Sequence, residues 1–234
     1  NYVKLDVGGM PPATAFHEKV TPLSYGWTKY GPSTGGSPPV FRGIDMGGSA
    51  SNNAGGTSSE WMFFYKEDGY YQDWYLYPND GNINNYLPIS LDGYAGAVLN
   101  FKSRFISRGN GFARNIYVDV SADGATWTPI WSRLNIVNNA DILESITGID
   151  LSAYLGGNLY IRFRYAGQSN GLQNWYLDDI NITGTVPTVS WSPSAGLYTD
   201  SSLSVPYLGG NSTTLYAAPD GTVHYNLSTS LGSC

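Results

Sequence analysis

Side chains that alternate between apolar and polar every second residue constrain this chain more than any other feature. "AVLNFKSRFI" (97–106), "NIYVDVSA" (115–122), "TWTPIWSRL" (126–134), "NLYIRFRYAG" (158–167) and "NWYLDDINIT" (174–183) all show it. A strand sends successive side chains to opposite faces, so each run describes a ribbon with one buried and one solvated face. No amphipathic helix of useful length competes with them. "SADGATW" places Asp123-Gly124 between two such runs, a strong short-range hairpin signal. Many short strands separated by turns predict an all-β antiparallel sandwich of the jelly-roll type.

The rest of the chain is less regular. Residues 31–59 are rich in Gly, Ser and Pro and read as loop. "EWMFFYKEDGYYQDWYLYP" (60–78) follows, with nine aromatics between Trp61 and Tyr77 and a Glu67-Asp68-Gly69 centre that predicts a second hairpin. "GIDLSAYLGG" (148–157) reads as a turn. A change of texture near "TGTVPTV" (183–189) sets a boundary, giving units of 1–185 and 186–234.

Composition narrows the function. Of 234 residues, 13% are charged and 15% aromatic, and the net charge is −6. An acidic chain without a basic stripe is a poor partner for nucleic acid. No run of eighteen apolar residues is present to span a membrane. The lone cysteine, Cys234, rules out an internal disulfide framework, so stability must come from the core, helped by a metal if one binds. Low charge with abundant Gly, Ser, Asn and Tyr suits an extracellular β-protein. The chain opens on "NYVKLDV" and reads as a piece of a longer protein.

Enzyme motifs are sparse. "GPSTG" (31–35) and "GQSNG" (167–171) match G-x-S-x-G, but a nucleophile elbow needs a strand before the serine and a helix after it. Ser33 leads into Gly-Gly-Ser-Pro-Pro, and Ser169 leads into a strand. His17 and His224 lie in different units, so no triad forms. The adjacent acids Asp178 and Asp179 sit within a strand pattern, where alternation sends them to opposite faces and denies them one shared scissile bond. A cation site and a solvated edge are the two readings left. The aromatic run splits likewise among core packing, a protein contact and a carbohydrate platform. Its candidate ligand-binding rings are Trp61, Tyr70, Tyr71, Trp74 and Tyr75.

Three stretches carry a family resemblance: "LPISLDGYAGAVLNFKSRF", "NIYVDVSADGATWTPIW" and "IDLSAYLGGNLYIRFRYAG…NWYLDDINITG", together with the opening "FHEKVTPLSYGW" (16–27). They resemble the MAM-like jelly-roll domains of bacterial surface proteins, the cleaved-adhesin or choice-of-anchor type, over roughly residues 14–184. The segment 31–78 departs from that pattern in length and aromatic content. Residues 186–234 resemble an Ig-like repeat of large type-IX-secreted proteins of gliding bacteria, with "LGSC" inserting a serine before the terminal cysteine.

The resemblance implies a non-catalytic binding or spacer module of a cell-surface adhesin. Its partners would be neighbouring modules of the same chain and surface glycans or another protein. It also implies a calcium ion held by an acid near the first strand, Glu18, and by one of the Asp178/Asp179 pair. A carbohydrate-binding module of a secreted polysaccharide-degrading enzyme and a structural filament subunit are the alternatives.

Overall fold

The computed structural model describes residues 2–7, the strands at 14–17, 27–30, 42–45, 59–64 and 71–78, and residues 86–230. Seventeen strands follow in chain order: β1 (Val3–Asp6), β2 (Thr14–His17), β3 (Trp27–Tyr30), β4 (Arg42–Asp45), β5 (Ser59–Phe64), β6 (Tyr71–Pro78), β7 (Ile89–Ser90), β8 (Gly96–Ser107) and β9 (Arg114–Ser121). After these come β10 (Thr128–Arg133), β11 (Asp141–Asp150), β12 (Asn158–Gln168), β13 (Leu172–Thr185), β14 (Thr188–Ser192), β15 (Leu197–Tyr198), β16 (Thr214–Ala217) and β17 (Asn226–Ser230).

Two six-stranded antiparallel sheets build the larger part, as expected of an all-β jelly-roll sandwich. One runs β10-β9-β12-β6-β3, with β7 also on β12; the other runs β11-β8-β13-β5-β4, with β2 also on β13. The core lies between them. On β8, alternate residues Ala97, Leu99, Phe101 and Phe105 are buried. On β12, Leu159, Ile161, Phe163 and Tyr165 meet them from the other sheet, and Phe101 touches Phe163 edge-to-face at 5.1 Å. Trp175 of β13 is fully buried, and its indole N–H donates to Ser103 Oγ at 3.0 Å, so this ring's polar atom is satisfied inside the core.

The predicted runs correspond to β8, β9, β10, β12 and β13, and the Asp123-Gly124 turn joins β9 to β10 as expected. Asp123 Oδ1 accepts the Ala125 and Thr126 amides at 2.8 and 2.7 Å, and Gly124 takes the positive φ of 72° that the turn requires. These amide bonds hold the Asp123 carboxyl well below the usual carboxylate range.

Two expectations are corrected. Residues 60–78 do not form a hairpin: β5 pairs with β13 in one sheet and β6 with β12 in the other. Two aromatic strands offer more apolar positions than one sheet face needs, and splitting them lets each flank a long central strand of its own sheet. Residues 148–150, read as the start of a turn, end the edge strand β11. Its signal is weak because it is half exposed and breaks register between Ile146 and Ile149. Strand β1 pairs with β16 of the C-terminal segment.

That segment forms two small sheets, β1-β16-β15 and β14-β17, around Leu197, Tyr207, Leu215 and Ala217, with Leu5, Trp191 and Tyr225 packed against them. Among the described residues, no helix is long and apolar enough to cross a membrane.

Candidate functional site

The adjacent acids lie where β13 breaks its register with β8, between Asp178 and Asn181. Asp179 has a φ of 50°, and core residues Leu177 and Ile180 stand on either side of the pair. Two residues therefore occupy the space of one, which is a β-bulge. This corrects the expectation that Asp178 and Asp179 face opposite ways: strict alternation is suspended, and neither joins the core cluster.

Asp178 is only 2% exposed, and its Oδ1 accepts the Asp179 amide at 2.7 Å. Asp179 Oδ2 pairs with Lys102 Nζ at 2.7 Å, each side chain about a third exposed (31% and 32%). The hydrogen bond to Asp179 raises the Lys102 pKa, with both neighbouring carboxylates adding to it. Lys102 thus stands where a cation would sit against Asp179. The described residues contain no group of three His, Cys, Asp or Glu able to hold a metal ion. Two carboxylates are far short of the six to eight oxygens calcium takes. Glu18 lies outside the described residues, although β2 brings His17 opposite Asn181, beside the bulge.

The predicted aromatic site divides across the sandwich. Trp61 is opposite Leu177 in one sheet, and Trp74 is opposite Tyr165 in the other. Tyr71 pairs with Gln168, and Tyr70 lies outside the described residues. Of the five, Tyr75 takes part in a side-chain cluster that the structure resolves.

That cluster covers the outer face of the β10-β9-β12-β6-β3 sheet. With Leu159, Ile161, Phe163 and Tyr165 of β12 facing inward, Arg162 and Arg164 must face outward. The Arg162 guanidinium lies 4.3 Å from the Tyr75 ring centroid and 4.2 Å from that of Trp127, so it is held between two rings. Arg164 stacks on Tyr117 at 3.8 Å. Trp127 continues to Tyr86 at 4.8 Å, and Tyr86 to Tyr77 at 4.1 Å.

Beneath these rings Asp119 of β9, 1% exposed, binds both arginines. Its Oδ2 accepts Arg162 Nε at 3.0 Å and Arg164 Nε at 2.7 Å, and its Oδ1 accepts a further Arg164 N–H at 3.1 Å. A carboxylate with so little water is tolerable because the two guanidiniums satisfy it. The rings in turn lock the guanidiniums, giving a face that is flat, aromatic and polar at fixed points.

No family model matches the chain, and no curated protein matches it. Solved structures similar to it are so at low identity and low TM-score. One is the CBM22-1 xylan-binding domain of a Paenibacillus barcinonensis xylanase, with TM-score 0.42, 10% identity, and 76% of this chain and 99% of that chain covered. Another is the CBM22-1–GH10 part of a Clostridium thermocellum endo-1,4-beta-D-xylanase, with TM-score 0.41 and 14% identity. It covers 74% of this chain, and the match takes in 29% of the xylanase chain's length. A third is the cleaved adhesin domain of Lys-gingipain from Porphyromonas gingivalis, with TM-score 0.38, 17% identity, and 77% and 98% covered.

Among the described residues, the G-x-S-x-G match at 167–171 builds no nucleophile elbow. Ser33 lies outside the described residues, and Ser169 opens a three-residue 3-10 turn that runs straight into β13.

The arginine–aromatic face was missed at sequence level although a signal exists. "YVDV" and "YIRFRY" both place charged residues at alternate strand positions. Their pairing across β9 and β12, with Trp127 arriving from a turn, is a matter of tertiary register.

Proposed function

We propose that this chain is a non-catalytic, extracellular carbohydrate-binding module whose site is the outer face of the β10-β9-β12-β6-β3 sheet. The observation that carries the reading is Arg162, clamped between Tyr75 and Trp127 and fixed at Nε by buried Asp119. A sugar ring has an apolar C–H face, which stacks on an aromatic ring, and an equatorial rim of hydroxyls, which hydrogen-bond to fixed polar groups. Both kinds of contact are present here on one rigid sheet. Catalytic glycoside cleavage wants two carboxyls flanking one bond, whereas the acid beneath these rings, Asp119, is tied by two arginines.

Affinity electrophoresis against a panel of soluble polysaccharides, including xylan, mixed-linkage β-glucan and acidic polymers, tests the reading. Retardation of the chain by at least one polymer, abolished in Trp127→Ala, is expected. Unretarded migration through the whole panel would refute it.

The setting implied by the resemblance, a surface adhesin, is proposed with it. We further propose calcium at the β2–β13 junction, drawing on Glu18 and the Asp178/Asp179 pair; the ion would displace Lys102 from Asp179 and take its remaining oxygens from backbone carbonyls and water. It is supported by the bulge that frees both aspartates from alternation and by the placement of His17 beside it. A melting temperature that rises with Ca²⁺ and falls with EDTA is expected, since an ion bound to the native state stabilises it by mass action. Unchanged melting in both would remove the ion from the account.

A further inference from the structure

Strand β1 is the first strand of the chain, yet it closes the C-terminal sheet. Val3, Lys4, Leu5 and Asp6 pair with Ala217, Tyr216, Leu215 and Thr214. The Val7 amide donates to Thr213 O at 2.8 Å, and Thr214 Oγ1 donates to Asp6 Oδ1 at 3.1 Å across a separation of 208 residues. Tyr2 meets Tyr216 edge-to-face at 5.2 Å.

Removing β1 would uncover the β16 edge and with it Leu215, which is fully buried, against which Leu5 packs. A bare apolar strand edge is a template for another strand. The attachment of β1 is also slight. It is the outermost strand of its sheet, Leu5 is its one residue in the C-terminal core, and Val3 is 64% exposed.

We propose that the β16 edge is a strand-acceptor site, and that its partner, when chains are crowded, is β1 of a second copy. A second copy brings the same residues to the same register, so exchange needs no new complementarity, and only the connection differs. What favours the intrachain strand is its effective concentration beside β16. Its hold is four register pairs and one core residue, and a dense array of copies raises the competing concentration against it. The exchange would join modules head to tail through main-chain hydrogen bonds and leave the carbohydrate-binding face uncovered.

The test uses full-length chains carrying Cys234→Ser. Asp6 is exposed and its register partner Thr214 half-buried, neither in the core, so cysteines there report the register. A chain bearing both Asp6→Cys and Thr214→Cys should close an intrachain disulfide in dilute solution. Failure to do so would overturn the pairing itself.

Two singly substituted chains, one Asp6→Cys and one Thr214→Cys, are then unfolded, mixed, refolded over a range of concentrations and oxidised. Mixed disulfide dimers should exceed like–like dimers by about tenfold, grow with concentration, and fall when excess peptide of residues 1–8 is added. Leu5→Asp in the donor should abolish the excess. Mixed dimers no more frequent than like–like dimers at any concentration, or an excess indifferent to the peptide, would overturn the proposal.

Discussion

The two sheets of the sandwich each carry a charged group on the outer face, and the same chemistry produces unlike results. At the β13 bulge, Lys102 and Asp179 meet in an ion pair open to water. Across the sandwich, Asp119 meets Arg162 and Arg164 under a cover of rings, with side-chain exposures of 2%, 14% and 16%. Water screens the first pair, so it contributes little. In the second, burial makes each contact strong and each loss costly, because little water is at hand to replace a lost partner. The covered face is therefore preorganised and the bulge is not. A preorganised polar and aromatic surface spends less on ordering when a ligand arrives.

Substitutions should separate the two faces in order of size. Asp119→Ala leaves two poorly solvated guanidiniums and should cost about 3 kcal/mol in urea unfolding. A cost under about 1 kcal/mol would place both faces in the same solvated class. Trp127→Ala removes one ring from Arg162 and should lower stability by about 1 kcal/mol while reducing polysaccharide affinity at least tenfold. Loss of stability without loss of affinity would assign the ring to packing alone. In EDTA, Asp179→Asn should cost under about 1 kcal/mol at low salt and nothing measurable at 1 M salt, since the screening length there is short.

The smallest effect is the pH response. The Arg104 hydrogen bonds hold the Asp141 carboxyl below its ordinary value, and the Thr126 amide, with Ser121 and Ala125, does the same for Asp123. A depressed carboxylate contributes stability that is present above the unfolded pKa and is lost as pH falls through the folded one. Melting temperature should therefore be level from neutral pH to about 4 and decline below it. A decline already complete by pH 5 would point to groups other than these.

Much of the fold is legible in residue types. Alternation marks β8, β9, β10, β12 and β13 because these long central strands carry one wholly apolar face. It fades at β11, an exposed edge, and at β5 and β6, where apolar residues on consecutive positions mimic a hairpin. Sequence also singles out Asp178 and Asp179, but their facing depends on an extra residue in β13 that only the partner strand reveals. The Arg162–Asp119–Arg164 group is assembled across β9 and β12, 43 and 45 residues apart. Each half is an ordinary outward position in its own strand. Only the register makes them a site.

The central claim is that the ring-clamped arginine face binds carbohydrate. The most direct measurement is isothermal titration of the full chain and of Trp127→Ala with oligosaccharides from whichever polymer retards the chain. The account predicts saturable binding to the parent chain, weakened at least tenfold in the variant, with both proteins folded by near-ultraviolet circular dichroism. Equal affinity in the two would contradict it and move the binding surface elsewhere on the sandwich.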